Sequence, residues 1–332
     1  MGHRLKASTT TKTASIILAV TLVIGSTMTV GLLLPPPLSS PMFIQSAEAT
    51  ITTTIGMPEC FGGPPTIVGT DNDDVIQGTE EDDVIVGLDG NDQIYGNGGI
   101  DHICGGHEDD RLYGGDDKDY IDGQVGGDRV FGEDGDDILW GGRADDQLFS
   151  GGGAGNDLLD SGDGDDDDIL YGGNGDDLMF GGGDDDVLRG SPGNDLLYGG
   201  GGNDLLDSGD GDDRLYGGNG DDRLYGYDDS DFLYGGDGDD TVWGNRGYDV
   251  LYGANGDDLL FGGDGGDCEN DDGEPIPCIW GNDELYGDAG DDLLDGGGHD
   301  LLDGGGPEND FGDGGPNFDT CVNVETIANC EA

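Results

Sequence analysis

Cut every nine residues, the stretch Gly199–Phe261 reads GGGGNDLLD, SGDGDDRLY, GGNGDDRLY, GYDDSDFLY, GGDGDDTVW, GNRGYDVLY, GANGDDLLF. Nothing interrupts its seven units. Position 6 is always aspartate: Asp204, Asp213, Asp222, Asp231, Asp240, Asp249 and Asp258. Position 8 is always aliphatic: Leu206, Leu215, Leu224, Leu233, Val242, Leu251 and Leu260. Glycine holds position 1 except at Ser208, and position 4 except at Asp229. A repeat this strict decides the architecture before any single residue is weighed.

The first six residues of a unit alternate glycine with short polar residues, as a tight turn visiting positive φ requires. The last three form a short strand, with position 8 on one face and positions 7 and 9 on the other. One aliphatic side chain in nine makes no core within a unit. Stacked units bury a continuous file of Leu and Val, so the expected fold is an all-β solenoid. A helix is excluded, because glycine at this density costs roughly 1 kcal/mol per residue against alanine. Stacking also brings position-6 carboxylates of neighbouring turns within about 5 Å, the strand spacing. Like charges that close do not all stay ionised in a dry site. A hard divalent cation resolves this, and calcium takes six to eight oxygens from carboxylates and backbone carbonyls.

These residues resemble the repeats-in-toxin (RTX) nonapeptide, GGxGxDxUx with U aliphatic. The resemblance implies a parallel β-roll, a right-handed β-helix solenoid with two nonapeptides per coil and Ca2+ ions between successive turns. The motif's aspartate recurs from Gly69 to Phe149 as Asp74, Asp83, Asp92, Asp101, Asp110, Asp119, Asp128, Asp137 and Asp146. It continues through Asp157, Asp168, Asp177, Asp186 and Asp195 into the central stretch, then as Asp267, Asp283 and Asp292. All these aspartates are the expected metal ligands. Bulkier residues at position 4 (Glu81, Glu108, Asp117, Ala144) are expected to weaken some sites.

Around the repeat, composition is extreme: 72 glycines in 332 residues, and 75 acidic against 11 basic side chains for a formal charge of −64. Such a chain is disordered without counter-ions, which is the expected state of the metal-free protein. The charge excludes nucleic acid and anionic lipid surfaces as direct partners.

Residues 1–49 stand apart. Arg4, Lys6 and Lys12 precede an apolar run, Ile16 to Leu34, and Ala47-Glu48-Ala49 offers a small-x-small cleavage site. The segment reads as a signal peptide or, since the run approaches membrane-spanning length, a retained N-terminal anchor. Either way the repeats are exported, secreted or held at the cell surface, and a membrane is a partner only through that anchor. Residues 50–68 are a linker and N-terminal cap, in which Cys60–Val68 keeps the strand Thr66-Ile67-Val68 but replaces the turn with Pro64-Pro65. The roll is expected over 69–270, a loop over 271–277 where Pro275 and Pro277 forbid pairing, partly irregular repeats over 278–313 and a C-terminal cap over 314–332. Ser150-Gly151 reads as a two-residue insertion, and Ser161–Tyr171 carries two extra aspartates.

Six cysteines in an exported chain suggest disulfides. Proximity favours Cys268 with Cys278 and Cys321 with Cys330. That leaves Cys60 with Cys104, a bridge across more than two coils that requires the cap to fold back. Position 9 is aromatic in most central units. With 18 residues per coil, Tyr198, Tyr216, Tyr234 and Tyr252 stack on one outer face, and Tyr225, Trp243 and Phe261 on the other. Such files stabilise a sheet or offer a platform to a glycan or cell-surface partner. His102, Cys104 and His107 could pass for a transition-metal cluster, but the repeat alone explains their exposure and no second ligand pair lies nearby.

Catalysis finds no support. HExxH, G-x-S-x-G and GK[ST] are all missing, and repeated carboxylates in a ladder lack the cleft and split pKa values of a glycosidase pair. The expected function is an exported calcium-binding module that folds on extracellular Ca2+ and serves as a structural or adhesin-like element. The alternative is a secretion and folding accessory of a hydrolase or epimerase encoded elsewhere.

Overall fold

The computed structural model describes residues 60, 63–151, 155–162, 166–263, 283–289, 292–296, 301–304, 311–313, 320–322 and 326–328. All lie in the unit Thr54–Ala332 that the chain's contacts define. The signal or anchor segment falls outside them. Every regular element among the described residues is a strand.

Among the described residues, successive strands alternate between two sheets of 14 strands, and all pairing between the strands is parallel. In one sheet Leu197, Leu215, Leu233 and Leu251 stand in register, and in the other Leu206, Leu224, Val242 and Leu260. Partners are therefore 18 residues apart, so two nonapeptides make one coil. The position-8 side chains from Ile85 to Leu302 form a single buried file. Each such burial contributes about 1.5–3 kcal/mol, and no coil has a core of its own.

Most interior strands are longer than the expected three residues. Arg214–Asn219 and Arg223–Asp228 each span positions 7 to 9 and then 1 to 3. Pairing continues past position 9, as at Gly218 with Gly236. The turn proper shrinks to positions 4–6, and left-handed backbone occurs at positions 2 and 4, as at Gly218 and Gly220 with φ of +123°. Position 1 favours glycine for a different reason. Gly217 lies outside the left-handed range, but an added Cβ would sit 2.3 Å from Asp222 Oδ2 and 2.7 Å from the Gly235 carbonyl oxygen. Room, not conformation, fixes that residue.

The register moves two insertions. Ser150 takes a position-1 place, its N–H donating to the Tyr171 carbonyl at 3.0 Å, and Gly151 is the left-handed position 2 with φ +123°. The two extra residues therefore fall between Gly151 and Gly155, not at Ser150-Gly151. Further along the chain, Gly262 takes a position-1 place against Asp283, whose Oδ2 lies 2.6 Å from a Cβ placed on Gly262. Asp249 donates its N–H directly to Asp283 Oδ1. The place expected for Asp267 thus belongs to Asp283, and Asp267 itself lies outside the described residues. Strands and core file keep their register across both insertions.

The cap folds back as the long bridge requires. Cys60 and Cys104 are disulfide-bonded, and both are buried with Val86 against Val84 and Leu88. Ile67–Val68 pairs with Ile85–Val86 as the first strand of its sheet. Cys321 is also disulfide-bonded, whereas Cys268, Cys278 and Cys330 lie outside the described residues.

Candidate metal centre: two aspartate ladders

From Asp92 onward, each ladder aspartate closes its turn and points its carboxylate at the coil before it. Oδ1 accepts the backbone N–H of the aspartate one coil earlier, at 2.8 Å from Asp204 to Asp222 and 2.8 Å from Asp222 to Asp240. Two ladders result. One runs Asp74, Asp92, Asp110, Asp128, Asp146, Asp168, Asp186, Asp204, Asp222, Asp240, Asp258, Asp292. Its counterpart runs Asp83, Asp101, Asp119, Asp137, Asp157, Asp177, Asp195, Asp213, Asp231, Asp249, Asp283. Every expected site residue but Asp267 falls on one of them.

The second oxygen is the anomaly. From Asp92 to Asp146 and from Asp177 to Asp258, each ladder Oδ2 is buried and accepts no hydrogen bond. A buried polar atom without a partner is costly, and more so if charged. Burial, reinforced by neighbouring carboxylates, pushes Asp110 up to about 8, Asp146 to about 9 and Asp231 to about 9. The surroundings are oxygen-rich: in many turns the Cβ position that meets Oδ2 also meets the position-1 carbonyl of the next coil, Gly114 in the turn of Asp101 and Gly235 in that of Asp222. Carbonyls at positions 2 and 4 also face the neighbouring coil, so a Cβ on Gly218 or Gly220 would stand 2.1 or 1.8 Å from the oxygens of Gly200 or Gly202. Oxygens without donors suit a hard cation, and a glycine hydrogen leaves the space open. Among the described residues no three His, Cys, Asp or Glu side chains converge on one point. A ladder supplies one carboxylate per turn and leaves the remaining oxygens to the backbone.

Sequence reasoning missed a second network at position 5. There the side-chain oxygen reaches forward: Asn203 Oδ1 accepts the N–H of Asp221 at 2.8 Å, and Asp221 Oδ1 that of Asp239 at 2.9 Å. Asn156 and Asn194 serve as well as aspartate. The recurring Asp or Asn at that position was the available signal. Position 6 could make its Oδ1 bond with asparagine too, yet every ladder member is aspartate. Hydrogen bonding is retained at position 5, and charge at position 6.

The aromatic files stack as the 18-residue coil predicts. Tyr95, Tyr113, Phe131, Phe149 and Tyr171 lie 4.8–5.0 Å apart with planes within 9°. Tyr225 and Trp243 are 4.4 Å apart. The other expected file breaks: Tyr198 stacks on Tyr216, but Tyr216–Tyr234 and Tyr234–Tyr252 are tilted by 43° and 40°, with Phe232 against Tyr216 and Tyr252, and stacking resumes between Tyr252 and Tyr286. The stacked rings spend their faces on one another, whereas Tyr234 remains exposed. His102, Cys104 and His107 do not form a cluster: Cys104 is in the disulfide, His102 stacks on Tyr120, and His107 approaches Asp89 at 3.7 Å.

A comparison with curated proteins found no match. The sequence profile of the RTX calcium-binding nonapeptide repeat (4 copies) matches in overlapping blocks over residues 68–267 and again over 280–306. These blocks cover most of the roll and more than half of the chain, and they coincide with the ladders. The chain therefore belongs to the RTX calcium-binding nonapeptide repeat family.

Proposed function

We propose that this protein is an exported, non-catalytic structural module whose roll folds when Ca2+ enters the two ladders. The ladder aspartates from Asp92 to Asp292 are the proposed carboxylate ligands, and carbonyls at positions 1, 2 and 4 the proposed backbone ligands. One observation carries the reading: a file of buried carboxylate oxygens without donors, at a position that keeps its charge where asparagine could keep the hydrogen bond. Bound calcium supplies the charge that the files lack. The chain's own residues fix Oδ1 on the preceding coil, hold the turn open with glycine and bury the aliphatic file once coils stack.

Export is supported by the Cys60–Cys104 disulfide, which belongs in an oxidising compartment. A structural role is favoured over glycan adhesion because the longest ring files, Tyr95 to Tyr171 and Tyr225 to Phe261, turn their faces to one another. Calcium titration of the chelated chain, followed by circular dichroism, tests the reading. Strand signal should rise cooperatively with Ca2+, and Mg2+ should not substitute, since it demands tight octahedral geometry and keeps its waters. A strand-rich chain in excess chelator, or equal folding in magnesium, would remove the site.

A further inference from the structure

The first two turns of the roll are built differently from those that follow. Their position-2 residue is threonine, and neither Thr70 nor Thr79 has the left-handed φ seen at this position from Leu88 onward. Threonine, β-branched, avoids that region. Its N–H and hydroxyl instead bind the carboxylate of their own turn. Thr70 N–H and Oγ1 lie 2.6 and 2.8 Å from Asp74 Oδ2, and those of Thr79 lie 2.8 and 2.9 Å from Asp83 Oδ2. Thr66 Oγ1 donates to Asp83 Oδ1 at 2.8 Å.

The carboxylates move accordingly. In the turn of Asp101, Oδ2 lies 2.1 Å from a Cβ placed on the position-1 glycine; in the turn of Asp74 the same distance is 3.1 Å. At Gly78, Asp83 Oδ2 is not among the three nearest atoms. Strands change with them: Ile67–Val68 and Val75–Gln77 stop before position 1, whereas Val84–Asp89 runs on to position 3. The disulfide from Cys60 to Cys104 spans these same coils.

We propose that Thr70 and Thr79 stand in for calcium at Asp74 and Asp83, so that the N-terminal end of the roll closes without metal and offers its edges to the calcium-dependent coils. The proposal rests on the calcium reading of the interior ladders. It makes the amino-terminal coils a seed that exists before calcium arrives, and it moves the start of the metal ladders to Asp92 and Asp101.

The test uses the full oxidised chain. Native mass spectrometry counts bound calcium at saturation on the wild type and on T70G/T79G, which places glycine at position 2 of both turns. Two additional ions are expected on the variant. An unchanged count overturns the proposal, and a lower count makes threonine a ligand and overturns it too. Hydrogen exchange of the wild type in excess chelator gives a readout that needs no variant. Residues 66–77 should exchange at least tenfold more slowly than residues 214–225; equal rates overturn the proposal. C60S/C104S separates clasp from disulfide and should bind as many ions as the wild type, whereas a gain of ions would assign the closure to the disulfide instead. A wild type that binds no calcium would remove the parent reading as well, an outcome distinct from these.

Discussion

Between Leu88 and Ala144, seven residues with side chains hold positive φ at positions 2 or 4: Leu88, Asn97, Glu108, Asp117, Gln124, Glu133 and Ala144. Between Leu196 and Gly226, every residue in that conformation is glycine: Gly200, Gly202, Gly209, Gly211, Gly218 and Gly220. Core file, register and ladders are the same in both regions. The side chains are accommodated by rotating φ to 75–95°, where most central glycines lie at 108–138°. Left-handed backbone costs a residue with a Cβ roughly 1–2 kcal/mol. Glycine at positions 2 and 4 is therefore a preference that the fold can forgo at a cost. At position 1, where the cradle oxygens lie, the interior exceptions to glycine are serines, Ser150, Ser161 and Ser208. The two regions should thus differ in stability while sharing a mechanism.

The largest effect should come from the core, equally in both regions. Leu112→Ala and Leu224→Ala each remove a fully buried side chain and should each destabilise by about 2–5 kcal/mol at any calcium concentration. Thermal unfolding at saturating calcium measures this. A loss confined to low calcium would show that the file is not a core.

Ladder substitutions should sort next, by calcium dependence rather than by region. Asp222→Ala should raise the calcium midpoint by about tenfold or more, corresponding to about 1.4 kcal/mol, and excess calcium should restore much of the fold. Asp222→Asn keeps an acceptor for the Asp204 N–H but no charge, and should order the turn more readily in chelator while binding less metal. Asp221→Ala, at position 5, is the comparison variant. Because Asp221 accepts the Asp239 N–H, it should instead cost about 0.5–1.5 kcal/mol without moving the midpoint. Identical titrations for Asp221→Ala and Asp222→Ala would mean that charge density alone drives folding.

Acid offers a smaller, regionally opposed effect. Burial raises Asp110 to about 8 and Asp222 to about 7 in the folded chain. A raised folded pKa stabilises fully below the unfolded value near 3.8 and loses that contribution as pH rises through the folded one. The metal-free chain should therefore gain strand signal as pH falls from about 9 towards 4. Asp83 runs the other way. Burial pushes it up, but bonds from Thr66 and Thr79 outweigh this and hold it below the usual carboxylate value. Its contribution is present above pH 3.8 and is lost in stronger acid. A pH titration in chelator, followed by circular dichroism and by exchange at residues 66–86, reads both signs.

Smallest, and most direct for the regional contrast, is Glu108→Gly. Removing one strained side chain should stabilise the first region by about 1 kcal/mol. Gly220→Ala should destabilise the second by at least as much, its Cβ meeting the Gly202 oxygen. No gain from Glu108→Gly would mean that the strained turns relax at no cost.

Much of this was legible in the chain. Asp222 and Leu224 announce ladder and core by spacing alone, because stacking allows each coil one solution. Gly218 and Gly217 look alike in sequence yet serve different ends, one for its φ and one for the space that Asp222 and Gly235 require. Position 5 looks variable in sequence because Asn, Asp, Ser and Tyr share it in the central units, although the first two present the same oxygen. The Cys60–Cys104 bridge and the true place of Ser150 depend on which coil lies over which, and that follows from three-dimensional register.

Because the hydrogen bonds between coils run along the axis of the stack, the protein has a grain. Pulled from its two ends, it should open like a zip, coil by coil, and not shear as a block. Each coil of 18 residues would release roughly 60 Å of chain, giving an evenly spaced series of force drops. At the amino terminus the series should begin with a silence. The loop from Cys60 to Cys104, with a sequence separation of 44, cannot pay out while its disulfide is intact, and reduction would add that length to the trace.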